Sequence, residues 1–533
     1  MSFQVLRGDP DQLMETYGLS SLCAKAISVS NLNEEQIREL MDSDESLHTS
    51  KCEAVDQVAK RIIQAKENHE KVFVAGDYDA DGICSTAIMK DILDRLGIPN
   101  GYYIPDRFKE GYGLSSYTVK LAHDKGYSLI ITVDNGVKCF EAIHTAKSLG
   151  MDIIVTDHHQ IEEPVPSDLL LHPDVMEPEY EYLSGAGVVL ELSRTLLGEL
   201  RSHTSLAAIA LIGDVMPLWK ETRRIVRAGI RELSQGSLPA VSALFRKGTV
   251  IDETAISFQI VPKLNSIGRM NDSSNVNTLV PFLLCNDPIR IHSYAQQLEG
   301  VNQARRRCSD QMVKKALAME NEEAFPVIFD ESFFEGVSGL AAGKLARTWH
   351  KPVLVLSRHD EHTLKGSARG VPGMNLYEFF RNFEELEEFG GHPGAVGLSI
   401  EEENLDLLCA HVKQAMEGSM ALFQETYDPS FLCDEADLTL EQVMAFEAMR
   451  PFPKELVIHA AVWNPQVQSI NRYERVTRYH FSGRNNGFDG VLFRTAHSEA
   501  EDAPEWIVGV PEINRFKDRV SVQITIDDFD CVM

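Results

Sequence analysis

Between residues 71 and 160 one pattern occurs three times: a short apolar run that ends in acid. The runs are KVFVAGDYD, SLIITVDNG and DIIVTDHH. The segments between them have helical spacing. ICSTAIMKDILDRLG is closed by Gly97 and then Pro99, and FEAIHTAKSLG also stops at a glycine. Strand–helix–strand alternation implies a parallel sheet with right-handed crossovers, hence an α/β fold. Ligands of such sheets bind beyond the carboxyl ends of the strands. All three acid clusters sit at those ends.

The acids are chemically selective. Asp77, Asp79 and Asp81 alternate along GDYDADG. Three carboxylates on one side of an extended segment repel unless cations lie between them. Oxygen ligands of this kind suit Mg²⁺ or Mn²⁺. Asp134 ends the second run, and Asp157, His158 and His159 end the third. A fourth run, IALIGDVMPL, ends at Asp214. The first cluster alone reads equally well as a solvated turn, the second alone reads better as a turn after a strand, and a lone histidine is usually structural, although two in tandem beside Asp157 are not well explained by packing. Together they supply enough ligands for two divalent ions about 3.5–4 Å apart, bridged by a shared carboxylate. Such a pair activates water and clamps the oxygens of an in-line displacement at phosphorus, and imidazole among carboxylates tilts the choice toward Mn²⁺. The reading is a binuclear phosphoesterase site.

The 533 residues divide into several domains at roughly 100–200 residues each. Residues 1–70 read as a helical, polar-amphipathic segment. Residues 71–290 hold the parallel-sheet domain. A connecting helix is expected over 291–322, and a second α/β domain over 323–424. Short β-branched and aromatic runs such as LVIHAAVWN, YHFSG and RVSVQITI then predict an all-β module over 425–533, sandwich or barrel. Net charge is −29, which argues against a non-specific nucleic-acid coat but not against an enzyme with a local basic groove. The nine cysteines include no CxxC pair, so reduced thiols and a cytoplasmic setting are expected. No apolar run of about 18 residues predicts a membrane span, and the N-terminus has no secretory h-region.

GDYDADG, VDNG and TDHH, in this order, resemble the DHH phosphoesterase superfamily. The similarity extends to IPDRFKEGYGLS (104–115), SGAGVVLEL (184–192), GDVMPL (213–218), PKLNSIGRMND (262–272), GSARG (366–370) and FGGHPGAVGL (389–398). These look like the motifs of RecJ-type single-strand-specific 5′→3′ exonucleases, and the resemblance covers roughly residues 45–400. It implies a DHH domain and a DHH-associated domain, with an oligonucleotide-binding barrel at the C-terminus.

The resemblance also implies roles. Asp79 and Asp81 would bind separate metals, with Asp77 supporting the first. Asp134 would bridge both ions, and His158 and Asp214 would complete the second site. His159 would contact the scissile phosphate or its water, and Asp157 would orient the histidines. Gly390, Gly391 and His392, with Arg107, Arg269 and Arg369, would bind substrate phosphates. ARRR (304–307) is a candidate to face the same groove. In the β module, NRYERVTRYHFSGR carries Arg472, Arg475, Arg478 and Arg484 with Tyr473, Tyr479 and Phe481. Arg475 and Tyr479 are expected to bind the strand by charge and stacking, although an amphipathic hairpin with a solvated face fits equally well.

The implied cofactors are two divalent cations, Mn²⁺ preferred and Mg²⁺ admitted. The implied partner is single-stranded DNA, with a single-strand-binding protein or a helicase as further candidates, no membrane, and a monomer as the default. Two features depart from the family. Phe333 and Phe334 stand where a Trp-His pair is usual, and MRPFPKELV replaces a GxGNP-like turn. The rival readings are a small-substrate DHH phosphodiesterase, acting on short RNA or cyclic dinucleotides, and a non-catalytic DHH scaffold of a replication complex.

Overall fold

The strand Val72–Ala75 is buried at every position, and so is Leu129–Val133 beside it. This computed structural model describes residues 3–532, excepting 109, 271–274, 320–321, 418–426, 475, 483–486, 494–500, 517–518 and 530. Around the two strands lies a five-stranded sheet whose pairs are all parallel. Its order is Asn100–Tyr103, Val72–Ala75, Leu129–Val133, Asp152–Thr156 and Leu169–Leu171. The first strand in sequence is thus second in space. The connections leave it in opposite directions, which opens a crevice between Val72–Ala75 and Leu129–Val133.

Side chains alternate between two cores, because successive residues of a strand face opposite ways. Val72, Val74 and Ile131 face the helices Ala80–Leu96, Gly185–Leu197 and Arg201–Gly213. Phe73, Ala75 and Ile130 face Ser116–Asp124 and Phe140–Ser148. The helix Ala80–Leu96 is capped by Asp79 and ends at Gly97, whose φ of 73° lies in the left-handed region.

The connecting helix runs Pro288–Leu317, 30 residues capped by Asp287, or about 45 Å at 1.5 Å per residue. Ile291 and Leu298 pack on the first lobe, Met312 and Ala316 on the second. The second lobe is a mixed sheet in the order Leu386–His392, Ala395–Glu401, Thr363–Arg369, Val353–Arg358 and Val327–Phe329. Only the last pair is parallel.

The C-terminal strands close into a barrel. Val467–Arg472 pairs with Val476–Phe481, which pairs with Phe488–Phe493. That strand lies parallel to Arg519–Asp528, which pairs with Trp506–Phe516, which pairs with Ala460–Trp463. Ala460–Trp463 and Val467–Arg472 are two halves of one strand, bent at Asn464 (φ 50°). The five-stranded circuit 1-2-3-5-4-1 is that of an oligonucleotide-binding barrel.

The segment 1–70, expected to be helical, is divided. Phe3–Leu6 is a strand, paired in parallel with Asp428–Leu432 and Cys531–Val532. Leu22 and Leu40 from the following helices share a core with Phe431 and Phe446. The helix Glu53–Glu67 instead packs Val58 and Ile62 into the first lobe. Polar-amphipathic helices announce a buried stripe, not which domain supplies the partner. Among the described residues no helix is long and apolar enough to cross a membrane.

Candidate metal centre and phosphate cleft

Asp77 and Asp134 follow the two strands that border the crevice, so their carboxylates meet there. The ligand atoms of Asp77, Asp79 and Asp134 lie within 4.8 Å of one another. So do those of Asp81, His158 and Asp214, and those of Asp134, His158 and His159. Asp134 and His158 therefore each belong to two overlapping groups. His158 Nε2 is 3.2 Å from Asp134 Oδ1, 3.5 Å from Asp214 Oδ2 and 3.6 Å from Asp81 Oδ2.

Local structure fixes each ligand differently. Asp79 caps its helix, accepting from the N–H groups of Asp81 (3.0 Å) and Gly82 (3.1 Å). Asp81 accepts from the N-terminus of Gly185–Leu197: Gly185 N–H at 2.7 Å, Ala186 N–H at 2.8 Å and the Ser184 hydroxyl at 3.0 Å. Helix N-termini carry the donors and partial positive charge that suit a carboxylate. Gly185 also lets the helix N-terminus pack on Asp134, since a β-carbon there would lie 2.6 Å from Asp134 Cβ. Asp134 itself has a φ of 61°, a strained backbone of the sort found at functional sites.

Asp157 does not face the cluster. It accepts from Val137 N–H (3.0 Å) and His158 N–H (2.8 Å), and Oδ1 pairs with His159 Nδ1 at 2.8 Å. Burial opposes its charge, but His159 and these donors hold its carboxyl below the usual range. His159 is correspondingly pushed up to about 9: burial works against its cation, and Asp157 outweighs burial. His172, absent from the sequence-based set, donates from Nε2 to His159 O (2.9 Å) while its Nδ1 accepts from Asp174 N–H (3.1 Å).

Burial raises the carboxyls of Asp77 and Asp134 well above their ordinary values, and neighbouring carboxylates add to it. Asp214 reaches about 8 through burial, then Asp81 and Asp79. Burial also lowers His158, keeping its ring neutral and able to ligate. Asp77 Oδ1, Asp134 Oδ1 and His158 Nε2 are buried with no hydrogen-bond partner. Buried unpaired polar atoms are costly. Lone pairs that converge unpaired, among carboxylates that repel, fit divalent cations.

A cleft of about 410 Å³ opens beside the cluster, between the lobes. Arg107 and Arg269 reach it from the first lobe, Arg369, Lys365, Ser367 and Gly390 from the second. Arg269 is lowered to about 10 by burial and by the guanidiniums of Arg107, Arg305 and Arg369. Arg305 comes from the ARRR stretch, but its guanidinium donates to Asn302 Oδ1 and it is not part of the cleft lining. Tyr78, between Asp77 and Asp79, joins cleft to cluster: Arg107 lies over its ring at 5.4 Å. Gly391 and His392 lie at the exposed tip of the adjacent hairpin, outside the cleft lining. Gly391 has φ 143°, and a β-carbon there would strike Ala395 O at 2.3 Å.

The two phenylalanines that depart from the family pattern have separate places. Phe333 is buried in the second lobe, and Phe334 meets Phe108 of the first-lobe loop at 6.1 Å between ring centres. In the barrel, Tyr479 corrects an expectation. It is 1% exposed, stacks on Phe481 in the interior and donates its hydroxyl to Glu501 O. It has no face for a base. Arg475 and Arg484 lie outside the described residues. Exposed aromatics nearby are Tyr473 and Phe493, and Arg478 also points outward. The period of two was the signal: Thr477, Tyr479 and Phe481 share the face opposite Arg478.

Comparison with known proteins follows the same division. The DHH family, N-terminal domain, matches residues 71–213, and the DHHA1 domain matches 322–418. The single-stranded-DNA-specific exonuclease RecJ of Bacillus subtilis (strain 168) is 29% identical over 569 residues, covering 99% of this chain and 70% of the relative. The crystal structure of RecJ from Thermus thermophilus in complex with Mn²⁺ matches with a TM-score of 0.80 at 22% identity, covering 99% of this chain and 79% of that one. The Mg²⁺ complex of the same protein matches at 0.74 with 21% identity, covering 99% and 78%. With the two domain matches in order and the likeness to RecJ running along nearly the whole chain, the protein is similar to the RecJ-type members of the DHH family.

Proposed function

We propose that the protein is a single-strand-specific 5′→3′ DNA exonuclease that releases 5′-mononucleotides, in DNA repair and recombination. One observation carries this reading: three unpaired, buried ligand atoms converge beside a cleft lined by three arginines. A cluster alone would suit many phosphoesterases. The cleft adds a place for a terminal phosphate next to the bond to be cut.

Asp77, Asp79, Asp81, Asp134, His158 and Asp214 would hold two divalent cations, with Asp134 as the shared ligand and Mn²⁺ as the preferred ion. When bound, the pair supplies Lewis acidity and a nucleophilic water at neutral pH. The protein's own groups do the rest. Arg107, Arg269 and Arg369 bind the terminal phosphate and set how far the strand enters. Gly390 offers a backbone donor at the cleft wall, and Gly391 and His392 extend that hairpin toward the strand. His159, held as a cation by Asp157, stabilises negative charge on the scissile phosphate. The outer barrel face, with Tyr473, Phe493 and Arg478, stacks and screens the strand further along. Tyr479 has no part in this. The local basic cleft reconciles a strand-binding enzyme with a net charge of −29. The protein would act as a cytoplasmic monomer.

The test is degradation of single-stranded DNA labelled at either end, with Mn²⁺, Mg²⁺ or EDTA, and with Asp134→Asn and blunt duplex as controls. Metal-dependent release of the 5′ label as mononucleotide, absent in both controls, supports the reading. Cleavage confined to very short oligonucleotides or cyclic dinucleotides replaces it with a small-substrate phosphodiesterase. Mn²⁺ binding without any cleavage replaces it with a scaffold.

A further inference from the structure

Ile104 and Leu114, on either side of the segment that carries Arg107, Phe108 and Tyr112, are each tied down by an asparagine. Ile104 N–H donates to Asn277 Oδ1 (2.8 Å), and Asn277 Nδ2 donates back to Ile104 O (2.8 Å). At the far end Leu114 N–H donates to Asn135 Oδ1 (3.2 Å). Asn135 Nδ2 in turn donates to Ala75 O (3.0 Å) and Val133 O (2.9 Å), the ends of the two strands that border the crevice. Between these ties the loop touches three functional places. Arg107 lines the phosphate cleft. Phe108 meets Phe334 of the second lobe. Tyr112 donates its hydroxyl to Asp134 O (3.0 Å), and the same oxygen lies 3.2 Å from His159 Nδ1.

The contacts are continuous. The Arg107 guanidinium lies over the Tyr78 ring. Tyr78 and Tyr112 meet edge to face, 6.5 Å between centres at 84°. Tyr112 and His159 meet edge to face as well, 5.6 Å apart at 72°. Gly111 and Gly113 have φ of 80° and 76°, so the chain turns sharply on both sides of Tyr112, which projects the ring at the histidine. Asp157 fixes one edge of the His159 ring but leaves its tilt free. Tyr112 supplies the second contact.

We propose that Tyr112 is a positioning residue that couples occupation of the arginine cleft by a terminal phosphate to the orientation of His159. This rests on the exonuclease reading and adds a regulator to that site: the protein acts fastest when a 5′-phosphate is seated. A phosphate that draws on Arg107 loads the Tyr78 ring beneath it, and Tyr112 is the next packed group toward the histidine. Removing only the Tyr112 hydroxyl leaves the Asp157–His159 pair intact, so the expected damage is misorientation.

A double-mutant cycle tests the coupling, using Tyr112→Phe, Arg107→Ala and the double variant on 5′-phosphorylated and 5′-hydroxyl single strands. For the phosphorylated strand, Tyr112→Phe lowers kcat by about 10- to 100-fold and moves KM by less than about twofold. Arg107→Ala raises KM and lowers kcat. The double variant has a kcat no lower than the worse single variant, and its rates no longer distinguish the two strands. A second readout needs no turnover: in metal-free protein labelled with ¹⁵N-histidine, a 5′-phosphorylated strand shifts the His159 ring resonances in the wild type and not in Tyr112→Phe. Multiplying losses in the cycle, or a ring shift that survives in Tyr112→Phe, overturns the proposal while leaving the exonuclease reading intact. A wild type that degrades no strand overturns both.

Discussion

The Nε2 atom of His158 lies 3.2 Å from Oδ1 of Asp134, and both atoms are buried without a hydrogen-bond partner. Each such atom costs about 1–3 kcal/mol in a folded protein unless something pairs with it. The two residues also belong to overlapping ligand groups. Replacing either therefore disturbs more than one ion. Asp134→Asn and His158→Ala are each expected to lower kcat by at least about 10³-fold and to weaken Mn²⁺ binding in calorimetry. A variant that binds two ions with wild-type affinity would remove these residues from the ligand set.

Without cations the cluster favours acid. Burial and neighbouring carboxylates put Asp214 at about 8 and raise Asp77 and Asp134, whereas in an unfolded chain such groups sit near about 3.9. The folded chain thus binds these protons more tightly than the unfolded one. The corresponding stability is fully present below about pH 4 and is lost as pH rises through about 8. Divalent ions compete with the same protons. Melting of chelated protein should fall as pH is raised from about 6 to about 8.5, and Mn²⁺ should restore more at the higher pH. Equal stabilisation at both values would contradict this account.

Gly336 of the second lobe packs directly against the backbone of Arg269 in the first. A β-carbon there would lie 2.0 Å from Arg269 O and 2.8 Å from Phe334 Cε1. The backbone carbonyl cannot give way without moving Arg269 in the cleft. Gly336→Ala should raise KM for 5′-phosphorylated strands by about 10-fold and lower the melting temperature. Kinetics indistinguishable from wild type would show that the cleft does not depend on this contact.

The barrel makes a paired prediction. Tyr473→Ala and Phe493→Ala should each weaken binding of a long single strand, by about 1–3 kcal/mol per stacked base, with no change in melting. Tyr479→Ala should do the reverse, destabilising the fold by about 3–5 kcal/mol. Anisotropy and calorimetric melting on the same three variants separate the cases. A binding loss in Tyr479→Ala at full stability would restore that residue to the surface.

Much of the metal cluster was legible because a parallel strand advertises its carboxyl end: the apolar run stops and the acid begins. That argument places Asp77, Asp134 and Asp157 at neighbouring strand ends from sequence alone. It cannot say that Asp157 turns away to hold His159, because both orientations fit the same spacing. The arginines were individually unreadable. Arg107, Arg269 and Arg369 are spread over more than 250 residues, and only the docking of two lobes gathers them. SGAGVVLEL was readable as a family-like motif, but not Gly185 within it as a donor to Asp81. Tyr479 was readable and misread, since adjacent residues of a strand cannot share a face.

The strand Phe3–Leu6 has its partner at Asp428–Leu432, with Ser430 donating to the Gln4 carbonyl across 426 residues of sequence. Translation supplies roughly 5–20 residues per second, so this strand waits about 20–85 s for its neighbour. Both phosphoesterase lobes can be complete before then. Residues made this early are among the last to settle, and in that interval Phe3 and Val5, which are buried in the finished sheet, lack the strand they pair with.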